Sequence, residues 1–141
     1  MKVSVKRLAD VPLPCRQTQG SAGFDLCAAE EMVIPAHGFR SVGTGLAVEL
    51  PEKTEAQVRP RSGLAAKHGI GVLNSPGTID SDYRGEIRVI LFNTSDRDHQ
   101  ISRGDRIAQL VFAALVDVDL VEADSLSETR RGPGGFGHTG A

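Results

Sequence analysis

Short runs of alternating apolar and polar residues follow one another along most of this chain, and this pattern predicts strands. Within residues 39–50 the apolar set is Val42, Leu46, Val48 and Leu50. The predicted strands are rich in β-branched residues, are separated by turns containing Gly, Pro or Asp, and cover residues 2–8, 39–50, 54–59, 70–73, 86–92, 106–112 and 116–121. Many short strands at this spacing are typical of an all-β sandwich, jelly roll or barrel.

A single helix is predicted, over residues 63–68, with Ser62 as its N-cap and Gly69 as its left-handed end. After about Asp124 the chain becomes rich in Ser, Glu, Thr and Arg and then in Gly. This change of composition predicts a tail that leaves the globular domain.

The bulk composition is that of an ordinary globular protein of one domain, with 141 residues, 40% hydrophobic and 24% charged. A net charge of −2 argues against binding nucleic acid through a broad basic face, but a few arginines suffice for a small phosphorylated ligand. The first residues lack a signal-peptide pattern and no apolar run is long enough to span a bilayer, so a cytoplasmic protein is expected. Cys15 and Cys27 are expected to be reduced thiols, and the four histidines lack metal-binding spacing.

The tail carries five glycines and a proline around Phe136. Such a segment cannot build a core, yet it offers arginines, approachable backbone N–H groups and one aromatic face. These are the groups that an anionic ligand with a flat ring requires. On composition alone, a disordered end that happens to contain Phe136 fits equally well.

Residues 59–64 place two arginines and the Ser62 hydroxyl where a strand ends and the helix begins. Arginines and unpaired helix N–H groups are suited to holding phosphate. A helix start flanked by surface arginines is the alternative.

Residues 74–87 combine Asn74, Asp80, Asp82 and the only tyrosine, Tyr83, between two predicted strands. An asparagine with hairpin backbone groups can match the edge of a base, a tyrosine ring can pack on a sugar, and an aspartate can deprotonate water. The alternative is that the two aspartates form turns and Tyr83 is partly buried packing.

Asp25 and Gln109 each interrupt an apolar strand. A carboxylate in such a run is costly unless it is paired or lies near a cation. Asp25 is therefore either a buried hydrogen-bonding group or a contact to a hydrated metal ion.

Taken in order, residues 22–26, 61–63, 77–85, 103–112 and 131–140 resemble the five motifs of the trimeric dUTPase family. The resemblance implies a distorted jelly-roll β-barrel or sandwich with one short helix, assembled as a homotrimer with active sites between subunits. It divides the chain into a jelly-roll domain, residues 1–124, and a flexible C-terminal arm, residues 125–141, that closes over an active site.

The resemblance also implies the reaction, which is Mg²⁺-assisted hydrolysis of dUTP to dUMP and diphosphate by attack of water on the α-phosphorus. Asp80 would hold and deprotonate the water, Gln109 would contact it or the α-phosphate, and Asp25 would reach Mg²⁺ through water. Tyr83 would exclude a sugar 2′-hydroxyl, and Asn74 would recognise uracil. The remaining substrate contacts implied are Arg61, Ser62 and Gly63 on the phosphates, Gly77, Thr78, Ile79 and Arg88 around the nucleoside, and Arg131, Phe136, Gly137 and His138 in the arm.

The sequence departs from the family pattern at two positions: His138 stands where many members have Ser, and Pro133 removes one N–H from the arm. Two alternatives stay open at this point. One is a dCTP deaminase, alone or combined with dUTP hydrolysis, on the same fold. The other is a nucleotide-binding module without catalysis, which has no need of a water-activating carboxylate.

Overall fold

Eleven short strands and one helix make up the part of the chain that the computed structural model describes, residues 1–135. Their bounds are β1 (Ser4–Arg7), β2 (Phe24–Cys27), β3 (Met32–Ile34), β4 (Phe39–Gly43), β5 (Leu46–Glu49), β6 (Thr54–Arg59), α1 (Ser62–His68), β7 (Ile70–Val72), β8 (Gly77–Ile79), β9 (Arg88–Asn93), β10 (His99–Ile101) and β11 (Arg106–Ala114). No helix within residues 1–135 has the length and apolar character to cross a membrane.

Two antiparallel sheets supply most of the core, which confirms the predicted all-β jelly-roll sandwich. One has the strand order β2-β11-β6-β8 and the other β4-β9-β7, while β1-β5 and β3-β10 form two-stranded ribbons. Within residues 1–135 the sheets do not close into a barrel. Leu26, Val58 and Leu110 from the first sheet and Val42 and Val89 from the second belong to one buried apolar cluster.

The predicted strand over residues 39–50 is in fact two strands. β4 pairs with β9, whereas β5 pairs with β1. The break falls at Thr44 and Gly45, where Gly45 has a φ of +66° and the Thr44 hydroxyl donates to Ile87 O at 2.6 Å. The prediction of a single strand was wrong because the apolar pattern continues across this change of partner.

The predicted strand over residues 116–121 does not form. β11 ends at Ala114, and no strand follows it up to residue 135. Val116, Val118 and Leu120 are 84%, 69% and 96% exposed. An apolar alternating segment needs a partner strand, and the described part of this chain provides none for it.

The helix begins one residue earlier than predicted. Arg61, with an extended backbone, occupies the N-cap position, and no side chain caps the helix. Ser62 is thus the first helical residue, and its predicted capping role was wrong. Gly69 has a φ of +65° and donates its N–H to Ala65 O at 3.0 Å, which confirms the predicted left-handed end.

Candidate active site

The predicted nucleoside contacts converge on one cavity, here called the hairpin cavity. It has a volume of about 270 Å³ and lies between β6, β8 and the returning strand β9. Its lining consists of Ser41, Val58, Asn74, Gly77, Thr78, Ile79, Asp80, Tyr83, Glu86, Arg88 and Ile90. β8 pairs with β6 rather than with β9, so residues 74–87 are an excursion between two sheets and not a simple hairpin.

Tyr83 forms one wall of the hairpin cavity and is fixed in place. Its Oη donates to Glu86 O at 2.9 Å. Gly85 leaves the space for this fold-back, because a Cβ there would lie 2.6 Å from Tyr83 Cζ. Tyr83 itself stays 43% exposed. An aromatic wall anchored in this way can discriminate between ligands by shape.

Asp80 lies at the edge of the same cavity and is exposed. Its backbone carbonyl accepts from Tyr83 N at 3.2 Å. None of the hydrogen bonds or ion pairs found within residues 1–135 involves its carboxylate. An exposed carboxylate of this kind can accept a hydrogen bond or a proton from water.

Arg88 lines the hairpin cavity, but its guanidinium is held by the protein. It donates to Ser41 Oγ at 3.1 Å, to Ser41 O at 2.9 Å, and to Glu86 and Glu30 at 3.0 Å each. Burial alone would lower the pKa of Arg88, but the hydrogen bonds and charges of Glu86 and Glu30 outweigh it and raise the pKa. Whether Arg88 also contacts a ligand stays a prediction.

A second cavity, here called the arginine cavity, has a volume of about 160 Å³. It is lined by all the predicted phosphate contacts within residues 1–135 except Arg131. It is formed by β2, β11 and the start of α1. Its lining consists of Gln17, Ser21, Gly23, Asp25, Arg61, Ser62, Gly63, Arg106 and Gln109. No residue lines both cavities within the described range.

Gln109 and Asp25 lie opposite each other across the β2–β11 pair. The Gln109 amide donates to Pro60 O at 3.3 Å. It packs over Gly23, where a Cβ would lie 2.5 Å from Gln109 Oε1. The side chain that interrupts the apolar strand is therefore held at the cavity wall.

Two arginines surround the Asp25 carboxylate. Arg106 Nη1 donates to Oδ2 at 3.1 Å, and Arg61 Nε lies 3.6 Å from Oδ1. The sequence analysis gave Arg106 no role, and strict alternation would place it on the opposite strand face from Gln109. A β-bulge between Arg106 and Ala108 reverses this and brings both side chains to the Asp25 face.

The donor set of the arginine cavity does not fit a metal ion held by the protein alone. No group of three His, Cys, Asp or Glu side chains suited to a metal occurs within residues 1–135. Asp25 is the only carboxylate in the lining, and both of its oxygens face guanidinium groups. The predicted contact to Mg²⁺ through water stays a prediction.

Arg131 reaches neither cavity. It is exposed, and its Nε donates to Gly134 O at 2.8 Å in a local turn. Phe136, Gly137 and His138, the other predicted arm contacts, lie outside the described residues.

Neither cysteine forms a disulfide within residues 1–135. Burial raises the pKa of the Cys27 thiol, and the charge of Asp25 adds to this effect. A thiol with a raised pKa is a poor nucleophile at neutral pH, so Cys27 is not suited to covalent catalysis.

The fold is an antiparallel sandwich with two separate cavities, one lined by Asn74, Tyr83 and Asp80 and the other lined by arginines, an arrangement suited to a protein that binds a nucleotide. Within that class the chain belongs to the dUTPase family, since the family model described as dUTPase matches residues 9–140.

Relatives in other organisms are similar over their whole length. The deoxyuridine 5'-triphosphate nucleotidohydrolase of Wolinella succinogenes is 55% identical, over 99% of this chain and 95% of its own. The enzyme of the same name from a Hydrogenobaculum species is also 55% identical, over 99% of both chains.

Solved structures have the same fold. The dUTPase of Staphylococcus bacteriophage 80alpha, in complex with dUPNHPP, has a TM-score of 0.92 at 25% identity and covers 99% of both chains. A mutant dUTPase of phage phi11, described with a structural Mg(II) ion, has a TM-score of 0.82 at 22% identity and covers 91% of this chain and 100% of its own.

Proposed function

We propose that this chain hydrolyses dUTP to dUMP and diphosphate. The observation that carries the proposal is the sorting of the predicted side chains. Those expected around the nucleoside line the hairpin cavity, and those expected on the phosphates line the arginine cavity. The nucleotidohydrolases at 55% identity support the same substrate.

The hairpin cavity binds deoxyuridine in this proposal. Asn74 and the backbone of β8 recognise the uracil edge, and the thymine methyl group does not fit beside them. The Tyr83 ring, anchored through Glu86 O, packs on the deoxyribose and leaves no room for a 2′-hydroxyl.

The arginine cavity binds the triphosphate through Arg61, Ser62 and Gly63. Asp80 accepts a proton from water while the water oxygen bonds to the α-phosphorus. The bond from that phosphorus to the oxygen bridging the α- and β-phosphates breaks, and diphosphate leaves with the electron pair. Gln109 orients the α-phosphate or the water. Positioning and neutralisation of charge supply most of the acceleration in phosphoryl transfer.

Magnesium is proposed to accompany the nucleotide, bound to its phosphate oxygens, because the described residues hold no ligand set of their own. When bound, the ion neutralises phosphate charge. The mutant dUTPase of phage phi11 is described with a structural Mg(II) ion, which supports magnesium as a metal that proteins of this family bind.

A homotrimer with shared active sites is proposed because the two catalytic residues, Asp80 and Gln109, line different cavities of one chain. A second copy that brings its arginine cavity to the hairpin cavity completes the site. The exposed apolar residues after β11 support assembly. So does an apolar groove of about 510 Å³, whose lining includes Val3, Phe24 and Phe112.

Residues 125–141 are proposed to form an arm over this site, outside the domain of residues 1–124. Arg131 binds the γ-phosphate, Phe136 stacks on uracil, and N–H groups around Gly137 and His138 assist. Among residues 1–135 the Arg131 guanidinium donates only to the nearby Gly134 O, so it is available for such a role. A cytoplasmic location stays a prediction.

The proposal is tested by incubating the full-length protein and Mg²⁺ with dUTP, dCTP and UTP in parallel. Diphosphate release from dUTP alone is expected. Ammonia release from dCTP indicates the deaminase instead, and no turnover of any nucleotide contradicts the proposal.

The role of Asp80 is tested with Asp80→Asn. Turnover is expected to fall about 100- to 10,000-fold, because the proton acceptor is lost. Binding of a non-hydrolysable dUTP analogue, measured by calorimetry, should be nearly unchanged. Asp82→Asn is the matched control, since Asp82 is exposed and does not line the hairpin cavity. A near-normal rate for Asp80→Asn removes that residue from its role.

A further inference from the structure

The segment between β8 and β9 is held by side chains more than by its own backbone. Among residues 81–86, the N–H of Tyr83 is the only one that donates to another backbone group within the described range, to Asp80 O at 3.2 Å. The next backbone N–H to do so is that of Ile87, which donates to Leu46 O at 2.8 Å. The position of the Tyr83 ring therefore depends on side-chain contacts.

Glu86 joins this segment to two other parts of the fold. Its backbone carbonyl accepts from Tyr83 Oη at 2.9 Å. Its carboxylate accepts from Gly45 N at 2.9 Å, in the turn between β4 and β5, and from Arg88 Nη1 at 3.0 Å, at the start of β9. The Glu86 side chain is only 28% exposed. Both carboxylate oxygens are thus bonded within the protein, and the carbonyl of the same residue is held in place with them.

The partner that holds Glu86 on the side of β9 is itself fixed. Arg88 also donates to Ser41 in β4 and to Glu30 after β2. A chain of contacts therefore runs from β4 through Arg88 and the Glu86 carboxylate to the Tyr83 hydroxyl. A change at one end of such a network is felt at the other.

We propose that Glu86 is a positioning residue for Tyr83, because its carboxylate holds the carbonyl on which the ring is anchored. Through the ring, Glu86 sets how strongly the site rejects a sugar 2′-hydroxyl, an inference that rests on the proposed function for the place of the deoxyribose. Removal of the carboxylate frees the carbonyl, so the ring loses its anchor while it stays in the hairpin cavity.

Two other roles for Glu86 predict different results. It lines the hairpin cavity, and a direct contact with the nucleotide would act whether or not residue 83 carries a hydroxyl. A contribution to folding alone would lower the stability and leave both the ring and the choice of nucleotide unchanged. The experiments below separate these roles.

The first experiment measures the ring directly. Tyr83 is the only tyrosine of the chain, which has no tryptophan, so the intrinsic fluorescence comes from this ring. Acrylamide quenching and anisotropy are measured on the full-length protein without nucleotide. Glu86→Ala is expected to raise the bimolecular quenching constant and to lower the anisotropy. Gly85→Ala is the positive control for a displaced ring, because a Cβ at that position would overlap Tyr83.

The second experiment compares kcat/KM for dUTP and UTP. Glu86→Ala is expected to reduce the preference for dUTP about fivefold, the value of one net hydrogen bond. Glu86→Gln keeps an acceptor for Gly45 N and loses only the charge, so it should fall between wild type and Glu86→Ala. In Tyr83→Phe, which has no hydroxyl to anchor, adding Glu86→Ala should change the ratio by less than about twofold.

Glu49→Ala is the matched control. Its carboxylate lies 3.5 Å from Arg84 Nη2 in the same segment, but it is 63% exposed and does not line the hairpin cavity. An exposed pair of this kind contributes little, so quenching and selectivity should match those of wild type. Thermal unfolding of each variant separates a displaced ring from a lost fold, and Glu86→Gln decides the question should Glu86→Ala fail to fold.

The inference is overturned by unchanged quenching in Glu86→Ala, by unchanged selectivity, or by an equal loss of selectivity with and without the Tyr83 hydroxyl. Wild-type values for Glu86→Gln overturn it if Glu86→Ala does not fold. The quenching experiment needs no nucleotide, whereas the proposed function fails when wild type releases no diphosphate from dUTP. The two failures are therefore distinguishable.

Discussion

At the scale of single residues, Tyr83 combines a fixed position with an exposed face. The hydroxyl is anchored on Glu86 O, and the space above Gly85 accommodates the ring. In the proposed complex this ring faces the deoxyribose. We therefore expect selection against an extra sugar hydroxyl to depend on the ring and on its anchor.

Tyr83→Ala is expected to reduce the preference for dUTP over UTP roughly 10- to 100-fold, because the wall that excludes the 2′-hydroxyl is removed. The measurement is the ratio of kcat/KM for the two nucleotides. Tyr83→Phe keeps the ring and loses only the bond to Glu86 O, so it should lose less. Unchanged selectivity in Tyr83→Ala would refute this role.

At the scale of elements, an ion-pair network joins the segment after β2, the β4–β5 turn and β9. Glu30 accepts from Gly43 N at 2.6 Å and from Arg88 at 3.0 Å, while Glu86 accepts from Gly45 N at 2.9 Å. The hydrogen bond from Gly43, and then Arg88, lowers the pKa of Glu30. The network thus stabilises one wall of the hairpin cavity.

Glu30→Gln is expected to lower the free energy of unfolding at pH 7 by up to about 1 kcal/mol, since solvent screens a pair of partly exposed side chains. The pKa of Glu30 is lower in the folded state, so its contribution is complete above the ordinary value of 4.5 and lost as the pH falls through the folded-state pKa. Denaturant unfolding should show the variant and wild type converging as the pH falls below 4.5 and through the folded-state pKa. The exposed Glu52→Gln is the control, and a difference that persists in acid would contradict this assignment.

The strands that could be predicted have a long alternation of apolar and polar residues and keep the same neighbouring strands along their length. β6 was predicted with the bounds that it has, Thr54–Arg59. β3, β8 and β10 were missed, and each has only three residues, too few to show a period of two. β7 is equally short, and it was predicted within the run over residues 70–73. The position of Arg106 was also missed, because a β-bulge has no signal in the pattern of apolar residues.

At the scale of the whole molecule, Asp80 and Gln109 line different cavities of one chain, and the proposed sharing of active sites between subunits joins them. Mixing Asp80→Asn subunits with Arg61→Gln subunits under conditions of exchange tests this. In an equal mixture, the Arg61→Gln subunits supply the intact hairpin cavities and the Asp80→Asn subunits supply the intact arginine cavities. If each site takes one cavity from each of two subunits at random, about one quarter of the sites combine two intact cavities. Diphosphate release should recover to that level, whereas no recovery would mean that each site lies within one chain.

Deleting residues 130–141 is expected to preserve the oligomer and to remove most of the activity, because the proposed cover of the site is lost. Light scattering gives the mass, which should be about three times that of one chain, and diphosphate release gives the activity. A deletion that dissociates into monomers would make the arm a structural element instead.

By itself the sequence determined the fold class, the left-handed helix end and the identity of most candidate site residues. These follow from local patterns: alternation, glycine at a special backbone position, and polar groups within apolar runs. The tertiary structure alone decided that these residues divide between two cavities, that Arg106 joins Asp25, and that residues 116–121 have no partner strand in their own chain. The reason is that pairing, bulges and the meeting of distant segments depend on contacts across the chain, which no local pattern records.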